Sequence, residues 1–375
     1  MGKIILKGYY GFGNFGDDIL MVTTYWLLKD IFPSDQIIVC SENPEAKYIE
    51  LLCEKSVLVV NSNSGLRADW IVHGGGGVFF DFNEGPPKYY WLNQLIKFIG
   101  YASFRETYNA IKRLTGNRGI EAKFRAGLGI GVGTYTPSSM KFYTDIVSLS
   151  DFDFLLVRDE ESKAILERYK FKYPIHLGTD LAFLSRFWNR RSISSKSKDD
   201  TIGFVLRDWQ YNDNTYLEVV LKVLLVLQNQ NRRLKVFSFD KKSDQFFIKK
   251  FSHDFPMTIW DPQQIKIEDY LSELSECSIM VTSRAHGAIV SACLGIPSVC
   301  LAIEPKLEKV HKMLKNSSRL IEPSDPYRIM AAIDEISTNE KTFQKAAALD
   351  VEQNANIMKQ GMATFKRFIS HISKA

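Results

Sequence analysis

Arg284 and His286 are the side chains of this sequence best placed to do chemistry, because they lie two residues apart in a strand–turn–helix pattern. The apolar run 277–282 predicts the strand, and the apolar stretch 288–294 predicts the helix. In α/β proteins, anions bind where a strand ends and the next helix begins. There the guanidinium is suited to bind a phosphate or a carboxylate, and the imidazole to transfer a proton. Alternatively, the arginine pairs with a nearby carboxylate and the histidine only caps the helix; the position in the pattern favours the first interpretation.

Arg207 is a second cation at the end of a predicted strand, which covers 201–206. The carboxyl ends of parallel strands meet at one edge of a sheet, so Arg207 and Arg284 are expected to converge on one crevice. The alternative for Arg207 is a surface pair with Asp208. The predicted anion site therefore consists of Arg207, Ser283, Arg284 and Gly287.

A glycine-rich turn at 8–18 follows the first predicted strand, 4–6, and precedes a predicted helix at 19–31. Its glycines at 11, 13 and 16 match GxGxxG, which cradles the phosphates of a dinucleotide, and Glu42 after the strand 36–40 could hold a ribose. The acids at 17 and 18 oppose that interpretation, because they would repel a pyrophosphate. They either cap the helix and offset its dipole or face a cleft. The cleft residues predicted here are Asn14, Gly16 and Asp17.

A run of glycines at 74–77 follows the predicted strand 70–72. Successive glycines let the backbone come close to another surface, which is either a ligand or a neighbouring helix. A single glycine would satisfy packing, so the run favours a ligand. The cleft residues predicted here are Gly75, Gly76 and Asp81.

Residues 86–125 are predicted to be helical, and from 105 onward they carry basic side chains interleaved with apolar ones. Such a surface suits contact with anionic lipid or a lipid-linked substrate. An ordinary solvated helix face gives the same pattern.

Predicted strands and helices alternate along the chain, which indicates parallel, doubly wound sheets. Residues 1–188 hold the first alternation, and the polar, Ser-rich segment 189–200 is the predicted linker. A second alternation covers 201–340, and 341–375 is a helical segment predicted to pack back on the first domain. The sequence therefore predicts two α/β domains that face each other across a cleft.

The composition of the 375 residues narrows the class of protein. With 45% hydrophobic and 13% aromatic residues the chain can bury an ample core, which excludes disorder. A net charge of +5 suits an anionic substrate or membrane surface and is too small to indicate nucleic acid binding. The five cysteines form no CxxC pair and are expected to be free thiols in a reducing compartment. We find no leader peptide, membrane span or metal-ligand spacing, so a cytoplasmic protein without metal or cofactor is expected.

Five motifs in the same order resemble the polysaccharide pyruvyl transferase family, and two facing doubly wound domains resemble the GT-B arrangement of glycosyltransferases. The resemblance runs from residue 3 to about residue 303. The motifs are 8–18 (GYYGFGNFGDD), the glycines 74–77, 157–162 (VRDEES), Asp180, and 283–286 (SRAH) with 295–297 (GIP).

The resemblance implies transfer of the pyruvate unit of phosphoenolpyruvate onto two hydroxyls of a sugar, giving a cyclic ketal. Members act on surface glycans or their lipid-linked precursors, which implies a cytoplasmic protein in peripheral contact with the membrane face. Arginines suit the phosphate and carboxylate of the donor, which implies donor binding by Arg207 and Arg284. The family's histidine falls on His286, a group able to protonate the enol carbon. The first domain, with Asp17 and its glycine turns, would then face the acceptor.

Three other functions stay open. A nucleotide-sugar glycosyltransferase of GT-B type would need an acid in the second domain that holds a ribose, and Glu304 is the candidate. A non-catalytic binding or regulatory protein would tolerate His286→Ala without loss of function. A dinucleotide oxidoreductase rests only on the GxGxxG match.

Overall fold

The computed structural model describes residues 2–372 except 44–45, 82–89, 92–93, 95–105, 107–118, 140, 170, 195–199 and 210–213. Its strands form two parallel sheets, one of seven strands and one of six. Helices cover the sheets, and apolar side chains of both layers form the core. Within this part of the chain no helix is long and apolar enough to cross a membrane. The cysteines, all within the described ranges, form no disulfide.

The first sheet has the order β3-β2-β1-β4-β5-β6-β7. Its strands are β1 Lys3–Lys7, β2 Gln36–Cys40, β3 Leu58–Val60, β4 Arg67–Asp81, β5 Glu121–Tyr135, β6 Phe154–Val157 and β7 Ile175–Leu177.

The second sheet has the order β10-β9-β8-β11-β12-β13. Its strands are β8 Thr201–Leu206, β9 Arg233–Ser238, β10 Met257–Ile259, β11 Ile279–Thr282, β12 Ser298–Leu301 and β13 Ser318–Ile321.

The helices lie in the crossovers between the strands and at the end of the chain. Those described are α1 Phe15–Ile31, α2 Ile49–Leu52, α3 Lys141–Ser150, α4 Glu160–Glu167, α5 Tyr216–Asn229, α6 Gln245–Phe251, α7 Ile267–Ser275, α8 Ala285–Cys293, α9 Pro305–Met313, α10 Pro326–Thr338 and α11 Glu340–Ile372.

Both sheets reverse their winding direction at the first strand, between β1 and β4 and between β8 and β11. At such a switch point the connections leave in opposite directions, so a crevice opens beyond the carboxyl ends of the strands. The turn after β1 begins at Gly8, Arg207 follows β8, and Arg284 follows β11. The doubly wound fold class predicted from the sequence is confirmed, and it places these residues at the two crevices.

The structure corrects three local predictions. The strand predicted at 70–72 does not end before the glycines 74–77, because β4 continues through them to Asp81 with a register shift between Gly76 and Phe79. Of the segment 86–125 predicted to be helical, 121–125 belong to β5, and most of the basic stretch lies outside the described residues. The helix after β11 begins at Ala285, so His286 lies in its first turn.

The long final helix α11 packs on the first sheet. The ring of Phe365 lies 5.6 Å from that of Trp70 on β4 and 4.9 Å from that of Phe154 on β6. The hydroxyl of Thr179 donates to the carbonyl of Asn354 at 2.8 Å. The chain thus crosses to the second sheet and returns to the first.

The amino end of α1 is docked into the second domain. Phe15 is fully buried, and its ring centroid lies 4.8 Å from Phe239, 4.9 Å from Trp260 and 4.7 Å from Tyr270. Its amide also donates to the carbonyl of Phe239 at 2.8 Å. Because these contacts fix the first turn of α1 against the second sheet, side chains of both domains meet there.

Asp18 strengthens the same junction. Its carboxyl group accepts hydrogen bonds from the indole of Trp260 at 2.9 Å and the hydroxyl of Tyr48 at 3.3 Å. Burial raises the pKa of Asp18 to about 8, although these two hydrogen bonds act to lower it. Asp18 therefore belongs to the domain contact.

Candidate active site between the two sheets

A cavity of about 460 Å³ lies between the carboxyl edges of the two sheets. Basic side chains outnumber acidic ones on its wall, so the cavity suits an anionic ligand. The basic residues of the wall are Lys141, Arg158, Arg207, Arg284, His286 and Lys306, and the acidic ones are Asp17, Asp240 and Glu304.

Arg284 is held rigidly at the start of α8. Its Nη2 donates to Oδ1 of Asp244 at 2.6 Å, and its Nε donates to the carbonyl of Leu206 at 3.3 Å. The arginine side chain is 8% exposed and that of Asp244 is 1% exposed. Burial alone would lower the pKa of Arg284, but the Asp244 carboxylate outweighs it and raises that pKa. A permanent, preoriented cation therefore borders the cavity.

Arg207 comes from the neighbouring strand end and is held by different groups. Its Nη1 donates to Oε1 of Glu304 at 3.1 Å, and its guanidinium lies 4.6 Å from the ring centre of Trp209. Burial, followed by the nearby charge of Arg284, lowers the pKa of Arg207. Two arginines with a mutual repulsion favour an anion between them. The convergence of Arg207 and Arg284 expected from the sequence is present.

His286 projects from the first turn of α8 toward the first domain. Its Nε2 lies 3.6 Å from Oδ2 of Asp180, which follows β7. The same oxygen accepts a hydrogen bond from Nη1 of Arg158 at 3.1 Å. An imidazole of one domain thus faces a carboxylate of the other at the edge of the cavity.

Lys306 and Arg158 are cavity residues that the sequence analysis did not predict. Lys306 is the second residue of α9, and its ammonium group lies 4.1 Å from the ring centre of Phe80. Burial lowers the pKa of Lys306 to about 8, with further lowering by the charges of Arg158 and Arg207. Their positions in the sequence could have predicted both. Lys306 lies after β12 at the start of α9, next to Pro305, a residue favoured at helix starts, and Arg158 directly follows β6.

Asn14 and Asp17 bring the first domain to the cavity. The side-chain oxygen of Asn14 accepts from the amides of Gly16 at 3.0 Å and Asp17 at 3.4 Å, so Asn14 is the cap of α1. Asp17 lines the cavity. Burial raises the pKa of Asp17, although His286 and Lys306 act to lower it.

The other predicted site residues lie behind the cavity wall. Ser283 is buried and its hydroxyl is 3.0 Å from that of Tyr216. A Cβ atom at Gly287 would lie 2.2 Å from Oγ1 of Thr282, and one at Gly16 would lie 2.2 Å from Nδ1 of His286.

The predicted cleft residues of β4 are part of the sheet. A Cβ atom at Gly75 would lie 2.9 Å from Leu20, and Gly76 is paired with Ile130 of β5. Asp81 is buried and accepts a hydrogen bond from the hydroxyl of Ser139 at 2.8 Å. These positions support the wall of the cavity.

No cluster of His, Cys, Asp and Glu side chains suited to a metal ion occurs among the described residues.

Two parallel Rossmann-like sheets with a cavity between their carboxyl edges define a GT-B-type protein. Solved structures with this fold include a putative UDP-N-acetylglucosamine 2-epimerase from Listeria monocytogenes, with 10% identity and a TM-score of 0.60 over 100% of this chain and 97% of that one. The UDP-GlcNAc 2-epimerase of Neisseria meningitidis bound to UDP-GlcNAc has 12% identity and a TM-score of 0.56 over 98% and 100% of the two chains. At these identities the likeness defines the fold alone.

The sequence profile of the polysaccharide pyruvyl transferase family matches residues 14–305. The chain therefore belongs to this family, and the resemblance seen in the sequence motifs is confirmed. No curated protein sequence matches the chain.

Proposed function

We propose that this protein transfers the pyruvate unit of phosphoenolpyruvate to a sugar of a surface polysaccharide or its lipid-linked precursor, giving a cyclic ketal and phosphate. The observation that carries the proposal is the cationic cavity, where Arg207 and Arg284 lie beside His286. Phosphoenolpyruvate presents a phosphate and a carboxylate on a three-carbon unit. Arginine forks match both groups, and the histidine supplies a proton.

The donor is assigned mainly to the second domain. Arg284 is permanently charged, and Arg207 forms an ion pair with Glu304. Lys306, with its pKa near 8, has no carboxylate within 4 Å in the described part of the chain. An incoming phosphate would favour the charged form of this lysine. Together these groups offset the negative charge of the donor.

The reaction requires one proton at the methylene carbon and one on the departing phosphate. Protonation of C3 by His286 uses the electron pair of the C2=C3 bond and leaves C2 electrophilic. The oxygen of one acceptor hydroxyl then bonds to C2, and the oxygen of the second replaces phosphate at the same carbon. The two hydroxyl protons balance the two that are consumed, so no oxidant or further reactant is needed.

Asp17 is assigned the removal of the first hydroxyl proton and its transfer to the departing phosphate, because it is the carboxylate that lines the cavity from α1. Burial raises its pKa above the ordinary 3.8, which makes the carboxylate a better base. A base must be unprotonated, so the rate is expected to fall as the pH drops through this raised pKa. Asp17→Asn should lower kcat for phosphate release by about 10²- to 10⁴-fold and remove that acidic limb.

Asp30→Asn is the control for Asp17→Asn, because Asp30 lies in the last turn of the same helix and, within the described residues, pairs only with exposed Arg186. It should keep both rate and pH profile. If Asp17→Asn retained the acidic limb, another group would have to be the base.

Ligand binding followed by thermal unfolding tests the donor. Phosphoenolpyruvate at 100 times its Kd should stabilise the fold by about 2.7 kcal/mol. Phosphate with pyruvate, a panel of nucleotide sugars, and NAD are the comparison ligands. Stabilisation by phosphoenolpyruvate alone supports the proposal, and stabilisation by a dinucleotide would indicate an oxidoreductase. Phosphate release in the presence of soluble glycans and lipid-linked sugars then identifies the acceptor.

A nucleotide-sugar glycosyltransferase is the second candidate, favoured by the GT-B fold. The similar epimerase from Neisseria meningitidis is bound to UDP-GlcNAc, a nucleotide sugar. In this chain Glu304, the acid considered for a ribose, is 5% exposed and pairs with Arg207 at 3.1 Å. Because Glu304 already pairs with Arg207, it is less available to hold a ribose, which favours the pyruvyl donor. Stabilisation by a nucleotide sugar in the binding experiment would instead favour the glycosyltransferase.

A further inference from the structure

We propose that Asp180 is the positioning residue of His286: it keeps a proton on Nε2 and leaves Nδ1 as the nitrogen that exchanges protons with the substrate. The assignment of the nitrogens rests on the geometry of the unliganded chain. Only the identity of the substrate rests on the proposed function.

Nε2 of His286 is enclosed on the side of Asp180. It is buried, no hydrogen bond to it is formed within the described residues, and Oδ2 of Asp180 lies 3.6 Å away. That separation suits an ion pair and closes to a hydrogen bond with a small movement. A buried N–H without a partner is costly, so the carboxylate is the natural partner for a proton on Nε2.

The Asp180 carboxylate is fixed independently of the histidine. Its Oδ1 accepts from the amide of Ala182 at 3.0 Å, and its Oδ2 accepts from Nη1 of Arg158 at 3.1 Å. The side chain is 2% exposed. Although burial alone would raise the pKa of Asp180, the charges of His286 and Arg158 lower it to about 2. The hydrogen bonds from Arg158 and the amide of Ala182 favour the ionised carboxylate, which can orient a neighbouring imidazole.

Nδ1 faces the opposite side, toward the start of α1. A Cβ atom at Gly16 would lie only 2.2 Å from Nδ1, so glycine is what leaves this nitrogen room. Unlike Nε2, Nδ1 is not fully buried, and it forms no hydrogen bond to the described residues. His286 also lines the cavity. Nδ1 is thus the nitrogen open to a ligand.

Several charged groups surround the imidazole ring, and a second carboxylate among them, Asp17, could hold the proton on the other nitrogen. Asp180 and Arg158 face it from the strand ends of the first sheet, Asp17 faces it from α1, and Lys306 faces the same cavity from α9. A proton held on Nδ1 by Asp17 is the alternative. Asp180 is favoured because its distance to Nε2 is within ion-pair range and Nε2 lacks any other partner among the described residues.

The proton transfer then follows one route. The Nδ1–H bond of the doubly protonated ring breaks as the C3–H bond of phosphoenolpyruvate forms, and the C2=C3 electron pair makes the new bond. The neutral ring keeps its proton on Nε2, next to Asp180. The second acceptor hydroxyl returns a proton to Nδ1, which restores the acid.

The test is two-bond ¹H–¹⁵N NMR of the full chain with ¹⁵N-labelled histidine, recorded without substrate. His286→Ala assigns the His286 signals, and the signals of the other histidines report whether each variant is folded. The neutral ring of the wild type should be the Nε2–H tautomer. A wild-type ring with its proton on Nδ1 would overturn the proposal, whatever the protein proves to bind.

Asp180→Asn should lose the preference for the Nε2–H tautomer and lower kcat by about 10²-fold or more. Asp159→Asn is the matched control, because Asp159 lies 3.6 Å from Nε of Arg158 and makes no described contact with His286. It should leave the tautomer unchanged, and Asp180→Glu, which keeps the charge, should retain it in part. If Asp180→Asn is folded and keeps the wild-type tautomer, Asp180 does not position the ring.

Discussion

His286→Ala is expected to lower kcat for phosphate release by about 10²- to 10⁴-fold, with a much smaller effect on the binding of phosphoenolpyruvate. In the proposed mechanism the imidazole supplies the proton for C3, while the arginines and Lys306 hold the donor. The side chain lies on the cavity wall and outside the hydrophobic core clusters, so its removal leaves the core intact. Steady-state kinetics and calorimetric titration with phosphoenolpyruvate measure the two effects separately.

His253→Ala is the control for His286→Ala, because His253 is 93% exposed and contacts only Asp254 within the described residues. It should behave as the wild type. Turnover of His286→Ala within a few-fold of the wild type would exclude the assigned acid. Full function of that variant would instead support a non-catalytic role for the cleft.

Arg284→Ala should abolish stabilisation by phosphoenolpyruvate and destabilise the unliganded fold by about 3–5 kcal/mol. Both effects have one cause: Arg284 lines the cavity, and it also neutralises Asp244, which is fully buried. Removal of the arginine leaves that carboxylate charged in a low-dielectric environment. Urea unfolding without ligand and thermal unfolding with ligand measure the two effects.

Two further variants separate stability from binding at Arg284. Arg284→Lys keeps a charge near Asp244 and should retain much of the stability, but it loses the fork that matches a phosphate or carboxylate. Addition of Asp244→Asn to Arg284→Ala should recover part of the stability without recovery of donor binding. If Arg284→Lys bound phosphoenolpyruvate like the wild type, the fork would not be needed and Arg284 would act only through its charge.

The positions of His286 and the two arginines at the cavity could be predicted because their signal is local. Arg207, Arg284 and His286 each follow an apolar run that is buried as a strand, and the carboxyl ends of such strands meet at the switch point. The alternation of strands and helices indicated the doubly wound fold in the same way. Local sequence patterns were therefore sufficient to predict these three cavity residues of the second domain.

Asp180, Asp244 and Lys306 were harder to predict, because tertiary contacts make them important. Asp180 reaches His286 only when the two domains dock, and Asp244 reaches Arg284 over 40 positions of sequence. The glycines 74–77 were predicted to follow their strand, because a glycine run within a strand of irregular register is hard to tell from one beyond its end. In the structure Gly74 and Gly75 pack against Thr24 and Leu20 of α1, while Gly77 lines the cavity.

The burial of Phe15 links the folding of the two domains. The ring belongs to α1 of the first domain, but the aromatic side chains that enclose it come from the second. Its burial stabilises the protein by about 1.5–3 kcal/mol, and this free energy is gained only while both domains are folded and in contact. Unfolding of either domain exposes the ring or empties the space that holds it, so the domains are thermodynamically coupled. A chain divided in the segment 189–200 would lose this contribution in both fragments, along with the pairing of Asp180 and His286.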